Sequence, residues 1–115
     1  MRGLAARYAA AKQNGMAGVT SEIEACYTAG TRSPVNPWTL RDCLILDAVG
    51  TREDNNVGRA IYGINLPYFE RQRHVSRWAR YGQLAGFNDA TRQVRYMSDG
   101  AALVELQLRQ VEPAI

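Results

Sequence analysis

Apolar residues in this chain recur three and four apart, the spacing of an amphipathic helix, and strand-like alternation never persists beyond a few residues. The clearest stripe is Val94, Met97, Ala101, Val104, Leu108 and Val111, which predicts a last helix of about five turns. Asn88-Asp89 precede it as caps and Pro113 follows it as a stop. Leu40, Cys43, Leu44, Asp47 and Ala48 form a second stripe, with Trp38, Ile45 and Val49 beside it. An apolar surface that wide predicts a helix near the centre of a bundle. It starts at Pro37, which needs no amide partner in the first turn, and Asn36 is its cap. Gly50 and the polar run Arg52-Glu53-Asp54-Asn55-Asn56 leave two continuations open. Either the helix ends there, or it exposes a turn before Val57, Ala60, Ile61 and Ile64 resume the spacing.

Turn and cap residues divide the remainder. Asn14-Gly15 is a good left-handed terminator for a first helix over residues 2–13. Ser21-Glu22-Ile23-Glu24 reads as a capping box that opens a second helix over 21–29, closed by Gly30. Asn65-Leu66-Pro67 opens a fourth, which buries Phe69, Val75, Trp78 and Ala79 and stops at Gly82, and Gly82 to Phe87 form a tight connection. The expected fold is all-α: a small bundle of four to five helices, one domain over residues 1–115, with residues 1–20 a peripheral helical arm. No repeat or linker interrupts it. The strongest apolar run, Leu44-Ile45-Leu46, is far short of a transmembrane segment.

Composition adds modest limits. A chain of 115 residues with 46% hydrophobic content supports one modest core. The segment before Glu22 carries Arg2, Arg7 and Lys12 and no acid, but Arg7 interrupts the apolar stretch that a secretory signal requires. A mitochondrial presequence fits that composition better, and an ordinary first helix better still.

The net charge of +3 names no partner; its distribution says more. Residues 71–95 hold six arginines and one acid, Asp89, whereas residues 22–70 hold four arginines and seven acids. Arg73, Arg77 and Arg80 recur at four and three residues and so predict one ridge of the fourth helix, with Arg92 and Arg95 at the start of the last and Tyr81 and Tyr96 nearby. Arginine and tyrosine are favoured at protein interfaces, which makes a protein partner the first reading for Arg73, Arg77, Arg80, Tyr81, Arg92 and Arg95. Phosphates of nucleic acid or anionic lipid are the alternative. Lysine, which usually shares that work, occurs once in the chain, and a pI near 9.1 is modest for a dedicated nucleic-acid binder. The bland reading is a solvated face or pairing with the acids of residues 22–54. The stripe of the last helix reads as core, with a homodimer seam as its lesser alternative.

The two cysteines carry the most specific expectation. Cys26 and Cys43 flank the turn marked by Gly30, Pro34 and Asn36-Pro37, at depths of roughly 5 and 9 Å along two antiparallel helices. That placement predicts a disulfide stapling the hairpin, against two buried free thiols. A bridge favours an oxidising space, the periplasm or the mitochondrial intermembrane space; free thiols favour the cytoplasm or the mitochondrial matrix.

Catalytic and metal chemistry find little support. His74 and two cysteines at this spacing make no zinc site. Asp54 to Gly58 resembles a calcium loop only until the misplaced glycine and Asn65 where the bidentate glutamate belongs. A Cys43, His74 and Asp47 arrangement places a thiolate beside a carboxylate, which disfavours it. Gly82 and Gly86 lack the lysine and hydroxyl residue of a phosphate loop. No catalytic residue, metal or cofactor is therefore expected. Asp47 is expected to be a structural acid paired with Arg77 or Arg80. The function expected is a non-catalytic interaction or structural module.

Overall fold

Five helices account for the architecture: α1 (Arg2–Lys12), α2 (Gly15–Thr31), α3 (Pro37–Tyr62), α4 (Arg71–Leu84) and α5 (Ala90–Val111). The computed structural model describes residues 2–62 and 71–111, with side chains over 3–53 and 77–110, and no strand occurs among the described residues. The all-α bundle is as the periodicity predicts. Expectations placed on Val57, Ala60, Ile61, Ile64, the Asn65-Leu66-Pro67 start, Phe69, Val75, Val111 and Pro113 lie outside the described side chains.

Helix α3 is the axis of the bundle and packs against α2, α5 and α4. Leu40, Cys43, Leu44, Ile45, Leu46 and Val49 are all buried because neighbours cover this helix on several sides. Each such aliphatic side chain is worth about 1.5–3 kcal/mol relative to an exposed one. Its start is as expected: the Thr39 amide donates to Asn36 Oδ1 at 3.1 Å. Gly50 does not end it, and the helix runs unbroken through the polar segment to Tyr62. Trp38 departs from the prediction. It sits in the first turn, beyond the cover of the neighbouring helices, and is 71% exposed.

Helix α2 begins six residues before the capping box, so Ser21 is an exposed residue inside it rather than its cap. The buried set Val19, Ile23, Cys26, Tyr27 and Gly30 explains why: its stripe already starts at Val19, and core contact carries the helix across the serine. Gly30 likewise does not stop the helix. It lies at the crossing with α3, where a Cβ would stand 2.7 Å from Leu40 Cδ2. The chain leaves α2 at Arg32, which is extended.

Helix α1 is no peripheral arm. Leu4, Ala5 and Tyr8 are buried, and the helix packs against α5 and α2. Tyr8 Oη donates to Glu53 Oε2 at 2.9 Å, and Arg7 Nε donates to Glu22, tying the segment to α3 and α2. Asn14 and Gly15, the latter at φ 70°, turn the chain from α1 into α2.

Helix α4 extends two residues past Gly82, and Gly86, at φ 91°, makes the turn that follows. The Thr91 amide donates to Asp89 Oδ1 at 2.8 Å, the predicted cap of α5. Within α5, Met97, Ala101, Val104 and Leu108 are buried inside the chain, which leaves that stripe unavailable as a dimer seam. Val94 is 61% exposed, however. Gln93 takes the inward place because its Nε2 donates to the Trp78 carbonyl at 2.6 Å. Of the described α4 residues expected to be buried, Ala79 is exposed and Trp78 half-buried. No described helix is long and apolar enough to cross a membrane.

Candidate functional site

The cysteines meet as predicted. Cys26 on α2 and Cys43 on α3 are disulfide-bonded, with Cα atoms 5.6 Å apart, and both are fully buried. One residue beyond the first and one turn beyond the second lie Tyr27 and Asp47, the start of a buried polar network. Asp47 is 0% exposed. Arg77 grips it as a fork, Nε to Oδ2 at 2.6 Å and Nη2 to Oδ1 at 2.7 Å, and Tyr27 Oη donates to Oδ2 at 2.7 Å. The tyrosine ring stacks on Tyr81, centroids 4.0 Å apart and planes 11° from parallel. Of the two arginines expected to partner Asp47, it is Arg77 that does so.

Burial, followed by the charge of Asp47 and the hydrogen bond to it, pushes the Tyr27 hydroxyl far above the ordinary phenol range, while Arg77 pulls it the other way. Burial and Asp42 raise Tyr96 as well, against the opposing charge of Arg41. An unfolded tyrosine ionises near pH ~10, whereas folded Tyr27 keeps its proton, so above that pH the unfolded chain binds fewer protons than the folded one. The contribution is complete below about pH 10 and is lost as pH rises towards the folded value. The urea midpoint is accordingly expected to fall in alkaline buffer, and a Tyr27→Phe chain should lose most of that slope.

The predicted arginine ridge is broken by the same network. Arg77 points inward to Asp47, because a buried carboxylate without a cation is far more costly than one arginine withdrawn from solvent. Arg73 and His74 lie outside the described side chains. Arg80 is exposed, its guanidinium 5.4 Å from the Tyr81 ring, and Tyr81 itself is half-buried by its stack on Tyr27. Arg92 and Arg95 are exposed on α5. Three of the six residues, Arg80, Arg92 and Arg95, are therefore exposed to solvent.

A different arginine organises the surface at the opposite end of α3 from Tyr62. The Arg41 guanidinium lies 4.9 Å from the Trp38 ring, 4.8 Å from Phe87 and 5.9 Å from Tyr96, and its Nε donates to the Ala85 carbonyl at 3.0 Å. Phe87 and Tyr96 pack tilted, 5.3 Å between centroids. The α3 start, the α4–α5 connection and the first turns of α5 thus converge on one cation. Val35 and Leu84, both exposed, come from the loop before α3 and the end of α4. Sequence inspection passed over this cluster; its local signal is Trp38-x-x-Arg41, a pair one turn apart at a helix start.

The chain matches no family model, curated protein or solved structure. Its chemistry has to be read from the residues themselves. Among the described residues no three His, Cys, Asp or Glu side chains gather as a metal site. The Arg41 end presents planar apolar faces, one of them largely bare, around a cation whose orientation is already set.

Proposed function

We propose that this chain is a non-catalytic helical interaction module, an accessory subunit of a larger assembly or a periplasmic adaptor, that holds a protein partner at its aromatic end. Trp38, Arg41, Phe87 and Tyr96 form the centre of the contact, and Arg92 and Arg95 extend it along α5. The observation that carries this reading is the 71% exposure of Trp38 beside an arginine pinned by three rings. Tryptophan and arginine are the residue types most often found to dominate binding energy, and a tryptophan buries about 150–250 Å² when covered. Because Arg41 is already ordered, little side-chain entropy is lost when a partner arrives.

The partner suited to this surface presents an apolar recess for Trp38 and carboxylates towards Arg92 and Arg95. Trp38→Ala is expected to weaken binding of the partner purified with the native protein by at least about 2 kcal/mol, roughly thirtyfold. Calorimetry on the purified pair reads this out, and full-strength binding by the Trp38→Ala chain overturns the reading. Changing Arg92 and Arg95 to glutamine should act mainly on the association rate and its salt dependence.

The exposed Arg80, Arg92 and Arg95 support a second reading, an anionic polymer or lipid surface as ligand. A mobility shift at low salt that disappears when all three become glutamine supports it, and no shift by the unaltered chain removes it. Since the buried stripe of α5 is occupied, a homodimer through that helix would draw instead on the exposed Val94, Leu103 and Leu106. Sedimentation tests that possibility directly.

A further inference from the structure

A cavity of about 190 Å³ opens between α3, α4 and α5. Ala48, Trp78, Val94 and Met97 supply apolar wall, and Thr51, Arg52 and Ser98 bring polar groups to it. Its volume somewhat exceeds that of an apolar cavity of ~150 Å³ that accepts a benzene ring. The walls are contributed by side chains of three different helices, so the space belongs to the tertiary fold and not to one loop.

Thr51 Oγ1 already donates to the Asp47 carbonyl at 2.8 Å. Arg52 Nη2 donates to Ser98 Oγ at 2.8 Å, which leaves the serine proton to be given to something else. Arg52 Nη1 stands 3.5 Å from Glu105, a half-exposed and loose pair. Among the described residues no acid belongs to the lining. With the Thr51 proton given to the Asp47 carbonyl, Ser98 and the Arg52 shared with Glu105 are the donors at the edge of a mostly apolar wall that includes a ring and a thioether.

We propose that this cavity binds a small amphiphilic carboxylate, an acid carrying one ring or a short alkyl chain. The apolar part lies against Trp78 and Met97, and the carboxylate accepts from Arg52 and Ser98. Apolar walls with a few convergent polar groups are the usual make-up of a ligand site, and an arginine fork matches a carboxylate in geometry as well as charge. Nothing in this assignment rests on the proposed protein-binding surface, although Val94 at the cavity edge lies between Arg92 and Arg95.

Phenylacetate and its neutral analogue phenylacetamide test the idea. The chain has two tryptophans, so Trp38→Phe leaves Trp78 as the sole reporter. Its emission is expected to change saturably with phenylacetate, and phenylacetamide should bind about tenfold more weakly, the share of one charge-assisted hydrogen bond. Arg52→Gln should bring the acid down to the level of the amide. Val94→Phe, which fills the cavity from its exposed edge, should abolish both. The proposal is overturned by the absence of saturable change, by equal affinity for acid and amide, or by binding that Val94→Phe leaves intact. Should Arg52→Gln lose helical structure, the acid–amide comparison on the chain with its arginine in place still decides.

Discussion

Arg77→Ala is expected to destabilise the chain by about 3–5 kcal/mol, read as a fall in the urea midpoint at neutral pH. The loss arises at Asp47, which is 0% exposed and would lose both guanidinium hydrogen bonds, leaving Tyr27 to donate to it. Native domains are stable by only about 5–15 kcal/mol, so one substitution on a half-buried arginine would remove a large share of the total. Asp47→Ala should cost a comparable amount, because it strands the guanidinium and the tyrosine hydroxyl together. Asp47→Leu combined with Arg77→Met and Tyr27→Phe should recover most of either loss, since a buried polar network is often no better than an apolar set of similar volume. A cost below ~1 kcal/mol for Arg77→Ala would mean that water reaches Asp47, and would reduce the network to an ordinary surface pair.

This network also shows what the sequence made legible and what it concealed. Asn36 and Asp89 act where they stand, on amides two or three residues away, so their caps could be read locally. The cysteine staple was legible for a related reason: the intervening turn and the helical rise set both depths. Ser21 and Gly30 carry equally good local signals, yet each lies inside α2, overruled by contacts made elsewhere. Gly30 serves the approach of Leu40, and a close crossing leaves the same letter in the sequence as a helix stop. The arginine ridge failed in the same way. Spacing places Arg73, Arg77 and Arg80 along one helix, but which of them turns inward depends on Asp47, thirty residues upstream of Arg77. Likewise, the Val94 stripe slips by one place because Gln93 reaches a carbonyl on α4. The Arg41 cluster draws on three separate segments, and only its Trp38 member is close in sequence.

Removing the disulfide, by Cys26→Ala with Cys43→Ala, is expected to lower stability by about 3 kcal/mol, the chain-entropy value for a closed loop of this size. The separation of 17 residues sets that magnitude, and the burial of both cysteines sets how the bond behaves towards reductant. A thiolate must reach a sulfur in order to exchange with it. Dithiothreitol should therefore act slowly on the native chain and faster as urea populates open forms, with alkylation and mass measurement following the reaction. Reduction of the folded chain as quickly as that of the urea-unfolded chain would show that the α2–α3 hairpin opens on its own. The bond and the Asp47 network lie one turn apart on α3 and on consecutive residues of α2, so their losses should not add. With the staple gone, α2 is free to carry Tyr27 away from Asp47, and Arg77→Ala then removes a partner whose geometry has already loosened. A double-mutant cycle between Arg77→Ala and the paired cysteine substitutions should accordingly show coupling of about 0.5–3 kcal/mol. Additive losses would mean that α3 alone, through its packing on α4 and α5, holds Asp47 in place.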